Sequence, residues 1–335
     1  MKYSVMLPFM GVLPQQAIPY AALVDRTSLM RLWQGQAMSI EPHQLFAYAA
    51  GQGFNIPVGT CVSVMPFRHP FEAAIEARSL ALTTGKPVVA GFGPGARLLQ
   101  ETLLGRPYAS PLAAVREYLT LVRSLLDGEM ASEAGTYFTA KDAMLPPLPG
   151  PAIGSLDIEL GLGVLRPGMA RLVGELADVA ITWLTPPKYL QDRILPAMRE
   201  AAATAGRAVP RIAAVVPVSL TKNGRDAASV VLAGSRFHLQ APHYLDMLTK
   251  AGLKVDSDQP EVTARSLVAA DGFISGTPED VVKGLDAYRA AGVDEVVLNL
   301  TGVCALEGEK AAFSELAAIQ CAIEDSLGQE SLHDR

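Results

Sequence analysis

Two glycine-rich stretches hold the residue types best suited to chemistry. Residues 161–169 read G-L-G-V-L-R-P-G-M and run into an amphipathic segment. If Pro167 opens a helix, its missing N–H costs nothing at the first helical position. The next amides, of Gly168 and Met169, then lack intrahelical partners, and the helix start carries a partial positive charge. Gly161 and Gly163 let the chain pass close to a ligand without a Cβ. Arg166 adds charge and several donors. Together these make an anion site of the kind found at helix N-termini; the alternative is a plain strand–helix turn with Arg166 in solvent. The second stretch, G-F-G-P-G at 91–95, places Gly91, Gly93, Pro94 and Gly95 after an apolar run. It can be a ligand cradle, a tight turn, or both.

The titratable residues are less telling. In S-L-D-I-E-L-G at 155–161, alternation sends Asp157 and Glu159 to one strand face. Glu159 is a speculative acid–base group, and an ion-paired carboxylate is the competing reading. Five histidines are present, and nothing singles out a catalytic one. His69, in R-H-P, stands at a helix entry, where a structural role is expected. Cys61, Cys304 and Cys321 lie far apart without a C-x-x-C pair. They read as reduced thiols, with no disulfide frame and no metal site.

Composition narrows the function class. The chain has 335 residues, 50% hydrophobic and 19% charged, with net charge −6. It holds no basic run of the kind that marks nucleic-acid binding. It has no 18-residue apolar run, and its N-terminal apolar stretch is too short for a signal peptide. A cytoplasmic protein without membrane or nucleic-acid partners is expected.

The positioning elements come from periodicity. Strands are read at 3–7, 31–34, 57–66, 86–95, 155–162, 178–184, 211–220 and the last apolar run before 300. Helical segments follow, among them 13–29, 41–50, 70–84, 112–126, 167–176, 189–205 and 226–252. Thr277 and Pro278 start another. Eight strand–helix units predict a parallel (β/α)8 TIM barrel as one domain over 1–335. An open doubly wound sheet is the alternative. Residues 235–260 are read as a helical insertion and 328–335 as a polar tail. A Pro-rich connector at 145–151 is read as a long loop.

The run G-T-C-V-S-V-M-P-F-R-H-P through G-F-G-P-G, the segment G-L-G-V-L-R-P-G, and S-G-T-P-E-D to the last strand together resemble the luciferase-like superfamily of flavin- and coenzyme F420-dependent oxidoreductases. The resemblance spans about residues 3–300. It implies a luciferase-like barrel with a flavin or deazaflavin ring in the C-terminal mouth and hydride transfer there. The G-F-G-P-G loop looks more like the F420 branch, with FMN the alternative cofactor. Ser63 and Val64 sit where family members support the ring, often with a non-prolyl cis bond. Gly91, Gly93, Pro94 and Gly95 would flank the cofactor, and Gly161, Gly163, Leu165, Arg166, Gly168 and Met169 would surround its phosphate.

Two departures stand out. Ala96 replaces the acidic donor that a sugar-phosphate dehydrogenase branch carries after its last glycine. Gln36 and Ala37 fall where relatives carry Asp-His or Glu-His. Gln36 hydrogen-bonds but does not titrate. Phe9, Trp33 and Gln36 are the expected substrate wall, with Trp183 a weaker candidate and core packing the competing reading for each aromatic. The reading is an F420-dependent oxidoreductase of a small molecule. An FMN-dependent monooxygenase and a non-catalytic flavin-binding protein are the alternatives; relatives in the superfamily often form homodimers, and nothing in the sequence fixes the assembly.

Overall fold

The computed structural model describes residues 1–10, 13–148 and 156–333. Parts of the expected connector, the start of the fifth strand and the last two residues of the expected tail lie outside them. Eight parallel strands form the centre: β1 (Lys2–Met6), β2 (Leu32–Gln34), β3 (Val58–Thr60), β4 (Val88–Gly93), β5 (Ile158–Gly163), β6 (Val179–Trp183), β7 (Arg211–Leu220) and β8 (Glu295–Asn299). They pair in chain order from β1 to β6. Pairing of β7 with both β6 and β8, and of β8 with β1, closes the ring. The closed ring is the (β/α)8 barrel expected, and it excludes the open sheet. No helix among the described residues is long and apolar enough to cross a membrane.

The helix starts follow from proline. Pro42, Pro70, Pro111, Pro167, Pro242, Pro260 and Pro278 each take the first position of a helix, where no backbone donor is lost. The 70–84 and 167–176 helices have the bounds read from the sequence. Pro70–Thr84 stops at Gly85 in the left-handed region, φ 60°.

Several elements went unread. An antiparallel hairpin, Ala131–Ala134 with Thr139–Ala143, follows the Pro111–Leu126 helix. Its strands are polar and largely exposed, so they carry no apolar alternation. The Glu117 carboxylate fixes it by accepting from the amides of Thr136, Tyr137 and Phe138 at 3.0, 2.7 and 3.1 Å. Arg97–Leu104 is also helical, and Ile274–Gly276 adds a short strand beside β7. The expected insertion is part of a longer excursion of three helices, Ala227–Gln240, Pro242–Lys250 and Pro260–Ala269. Residues 328–333, the described part of the expected tail, continue the last helix, Glu309–His333.

The barrel lumen has its own core, which includes Met6, Trp33, Cys61, Val89, Ile181 and Val297. Below it, at the N-terminal ends of the strands, lies a closed ionic layer. Glu295 is 1% exposed and accepts from Ser4 Oγ at 2.6 Å, Trp33 Nε1 at 2.7 Å and Arg211 Nη1 at 2.6 Å. Arg211 also grips both oxygens of Glu159, at 2.8 and 2.6 Å. Arg31, equally buried, lies 3.6 Å from Glu159 and 3.8 Å from Glu295. Two cations and two anions plug this end, so a ligand must enter from the other.

Candidate active site at the C-terminal mouth

A cavity of about 620 Å³ opens at the C-terminal end of the barrel, where this fold places its active sites. Met6, Cys61 and Ile181 form its floor, shared with the lumen core. On one side the chain leaving β4 supplies Gly93, Pro94 and Gly95. Trp183 at the end of β6 stacks on His238 from the helical excursion, whose His243 and Tyr244 also line the cavity. Gly163, Leu165, Arg166 and Met169 line the edge after β5.

The peptide bond Cys61–Val62 is cis. It lies one step before the Ser63–Val64 position expected. Val62 and Val64 line the cavity, whereas Ser63 is turned inward, 1% exposed. Gly93 makes room for Val62: a Cβ there would lie 2.8 Å from Val62 Cγ2. Gly163 carries no such conflict, its nearest neighbour being Val62 Cγ1 at 3.6 Å.

Other expected site residues are elsewhere. Gly91 and Gly161 pack inside the barrel, where a Cβ on either would strike Ile181 Cδ1 at 2.5 and 2.7 Å. They make room for a core side chain and do not line the cavity. Gly168 faces Leu112 outside it. The Met169 amide already donates to the Arg166 carbonyl at 3.1 Å, so only Gly168, at the second helical position, lacks an intrahelical carbonyl. Trp33 is fully buried in the lumen above the ionic layer, its ring over Gly59, and is no part of the mouth. Trp183 is the tryptophan that lines it. Glu159 belongs to the ionic plug, because its place near the start of β5 puts it at the barrel end opposite the cavity. Phe9 and Gln36 do line the cavity. His69 caps the Pro70–Thr84 helix by accepting from the Phe71 amide at 3.2 Å, and its Nε2 meets the Thr139 carbonyl at 3.1 Å. Both ring nitrogens are used structurally.

Arg166 is half-exposed and reaches Asp246 Oδ2 at 3.2 Å, a carboxylate it shares with Lys250 at 2.8 Å. Those two cations hold the Asp246 carboxyl below its usual range. Burial pushes His238 down to about 4, so its imidazole is neutral near pH 7. His243 is lowered by burial and by Arg166.

The cradle after β4 has a keystone that nothing in the sequence marked. Gln100, 4% exposed, donates from Nε2 to the carbonyls of Pro94 at 3.0 Å and Gly95 at 2.8 Å. Its Oε1 accepts from the Tyr108 amide at 2.9 Å. An amide supplies two donors and one acceptor to match. Gln100→Glu sets a carboxylate against two carbonyl oxygens. We expect a loss of about 1–3 kcal/mol at pH 8, read by urea unfolding. The loss relative to wild type should shrink towards pH 5, because protonating the glutamate restores one donor. A pH-independent difference would show that repulsion is not its cause.

Five residues of the lining also carry a polar atom that is buried out of reach of solvent and has no protein partner: Gln34 Oε1, Gln36 Oε1, Tyr108 OH, Trp183 Nε1 and His238 Nδ1. The lining itself is mostly apolar with a few polar side chains, which suits a ligand with an aromatic or apolar body. The lining holds no carboxylate, and no cluster among the described residues could hold a metal ion.

The profile of the luciferase-like monooxygenase family matches residues 2–295. The chain belongs to this family. Among its curated relatives is an F420-dependent glucose-6-phosphate dehydrogenase of Rhodococcus erythropolis, 27% identical over 74% of this chain and 74% of that protein. Another is a phthiodiolone/phenolphthiodiolone dimycocerosates ketoreductase of Mycobacterium bovis, 27% identical over 83% of this chain and 80% of that protein. The coenzyme F420-dependent tetrahydromethanopterin reductase of Methanopyrus kandleri superposes with a TM-score of 0.71 at 21% identity, covering 94% and 97% of the two chains. An FMN complex of the oxygenating constituent of 3,6-diketocamphane monooxygenase from Pseudomonas putida superposes with a TM-score of 0.68 at 18% identity, covering 96% of each chain. In this luciferase-like chain the wall of Trp183, His238, His243 and Tyr244 comes from distant segments. No periodicity or spacing in the sequence singled out His238 and His243 for the mouth.

Proposed function

We propose that the protein is an F420-dependent oxidoreductase, with FMN the alternative cofactor, acting on a small-molecule substrate in the cavity. The observation that carries this reading is the mouth cavity between the Gly93–Pro94–Gly95 loop after β4 and the Gly163, Leu165, Arg166 and Met169 edge after β5. The 27% identical relatives named for F420 support the deazaflavin over FMN. Such a cofactor supplies hydride transfer at one ring face. Val62, Val64 and the Gly93–Pro94–Gly95 loop would bear on its ring, and Gly163, Leu165, Arg166 and Met169 on its phosphate side. Gly91, Gly161, Gly168 and Ser63 drop out of that set.

Met6, Cys61 and Ile181 give the cavity an apolar floor. With Ala96 after the glycine loop and no carboxylate in the lining, the chain departs from the acid-bearing sugar-phosphate branch. Its substrate therefore differs from a sugar phosphate that needs that acid. A cytoplasmic location fits the dispersed thiols, and a homodimer is the assembly to test by sedimentation.

The test is titration of the protein with F420 and with FMN, each in both redox states, followed by fluorescence. Saturable binding of F420 is expected, and turnover separates an enzyme from a binding protein. Arg166→Ala should weaken cofactor binding by about 1.5–3 kcal/mol, the range for a hydrogen bond to a charged group. A dephosphorylated analogue should bind the variant and wild type alike. Asp246→Asn, which releases Arg166 from its carboxylate, should not weaken binding. Equal weakening of both cofactor forms by Arg166→Ala would remove Arg166 from the phosphate site.

A further inference from the structure

Hydride transfer makes a second demand on the cavity. A hydride added to one end of a substrate double bond pushes the π pair to the far end, and charge collects on the atom there. A donor already aimed at that atom steadies the transition state more than the ground state. Neither nearby loop brings an acid to the opening. Gln36 lines it after β2, Ala96 lines it after the glycine loop, and the lining holds no carboxylate.

The side-chain donors of the lining differ in reach. Arg97 and Arg166 have side chains 76% and 48% exposed and are engaged by Glu101 and Asp246. Trp183 Nε1 and the Tyr108 hydroxyl are closed off from solvent. The Thr301 hydroxyl donates to Asn299, and a thiol such as that of Cys61 is a weak donor. The Tyr244 hydroxyl is different. It has no hydrogen-bond partner among the described residues and is not one of the closed-off atoms, so it opens into the cavity that Tyr244 lines. Its ring is fixed by His238, centroids 5.1 Å apart with planes at 81°, and by His243 at 4.8 Å. Neither contact uses the hydroxyl. Burial pushes the ionisation of this phenol well above its ordinary range, and the Cys61 thiol adds to the shift. The group therefore keeps its proton and lies deep, near the floor. Cys61 precedes Val62 across the cis peptide, so the phenol overlooks the floor beside the residues proposed to bear on the cofactor ring.

The geometry points to Tyr244 as a catalytic residue: its hydroxyl donates a hydrogen bond to the substrate atom that gains the electron pair in hydride transfer. This rests on the oxidoreductase reading of the cavity. As the hydride bonds to one atom of the double bond, the π pair becomes a lone pair on the other, and the Tyr244 O–H meets that charge. The Tyr244 O–H bond stays intact, and water supplies the proton that neutralises the substrate. His238 and His243 are positioning residues that hold the phenol ring.

The experiment replaces the transient anion by a stable one. 4-Nitrophenolate and its uncharged counterpart nitrobenzene are titrated by calorimetry into the full-length protein, with and without oxidised F420, at a pH where the nitrophenol is ionised. Tyr244→Phe keeps the ring and its contacts with both histidines. It should weaken 4-nitrophenolate about tenfold to a hundredfold, the range for a hydrogen bond to a charged group, and leave nitrobenzene unchanged. The absorption band of the bound anion should move to longer wavelength in the variant, because its negative oxygen has lost a donor. His243→Phe should keep the wild-type ratio of the two affinities. Thermal unfolding and F420 affinity report retention of the fold. Equal weakening of both probes by Tyr244→Phe overturns the inference, as does loss of the anion preference in His243→Phe instead. Failure of the wild type to bind 4-nitrophenolate saturably also overturns it. In each of these cases saturable F420 binding leaves the oxidoreductase reading standing. A Tyr244-dependent anion site in a protein that binds neither F420 nor FMN overturns the oxidoreductase reading, and the catalytic role with it, while the donor itself stands.

Discussion

Glu295→Ala is expected to destabilise the protein by about 3–5 kcal/mol, the cost of breaking a buried ion pair by removing one partner. Glu295 accepts from Ser4, Trp33 and Arg211 and lies beside Arg31. Its removal leaves three donors short of an acceptor. It also leaves Arg31, 1% exposed, with a single carboxylate 3.6 Å away. Desolvation already lowers the Arg31 pKa despite its two acidic neighbours, so this cation depends on them. Glu295→Gln keeps the shape and one acceptor, and should fall between wild type and Glu295→Ala. Urea unfolding followed by circular dichroism reads the difference as a change of midpoint at constant slope. Because the network closes the end opposite the cavity, cofactor affinity of the folded variant should be unchanged. A loss below about 1 kcal/mol would mean that the pairs behave as solvated surface bridges.

Gly91→Ala, a change of one methyl group, should be nearly as damaging. Its Cβ would lie 2.0 Å from the Thr60 backbone oxygen and 2.5 Å from Ile181 Cδ1. The isoleucine tip can move, but the strand carbonyl is held by the sheet. Thr60 Oγ1 further ties the strands, donating to the Gly91 carbonyl at 3.0 Å and accepting its amide at 2.9 Å. Relief therefore needs displacement of β3 from β4, and with it the chain that carries Val62 and Val64. Overpacked cores lose roughly 1–3 kcal/mol and occasionally more. This site should reach the upper end, with cofactor affinity falling as well. Gly163→Ala, whose Cβ has no neighbour closer than 3.6 Å, is the control and should fold normally. Equal stability of the two variants in thermal unfolding would refute the packing account of Gly91.

The contrast between those glycines shows where sequence reading stops. The alternation of apolar runs with amphipathic segments, and prolines at helix starts, determined the eight-strand barrel and the entry of the Pro167–Leu176 helix. Those signals are local, set by side-chain period and by the missing proline N–H. The same locality could not rank the glycines. Gly91 and Gly163 look alike in a list of turn residues, yet one makes room for Ile181 in the lumen and the other borders the cavity. Nor could alternation say at which end of the barrel a charged residue sits: Glu159 and Trp33 were placed at a site although they belong to the lumen and its plug. The site wall itself depends on contacts between β6 and helices some fifty residues later, which bring Trp183 against His238. The sequence by itself determined the barrel, because short-range periodicity and backbone chemistry encode it, and its motifs carried the resemblance to the family and to the two loops that frame the mouth. Tertiary structure alone decided which side chains face the opening, because strand register, barrel closure and the docking of distant helices set the direction of each.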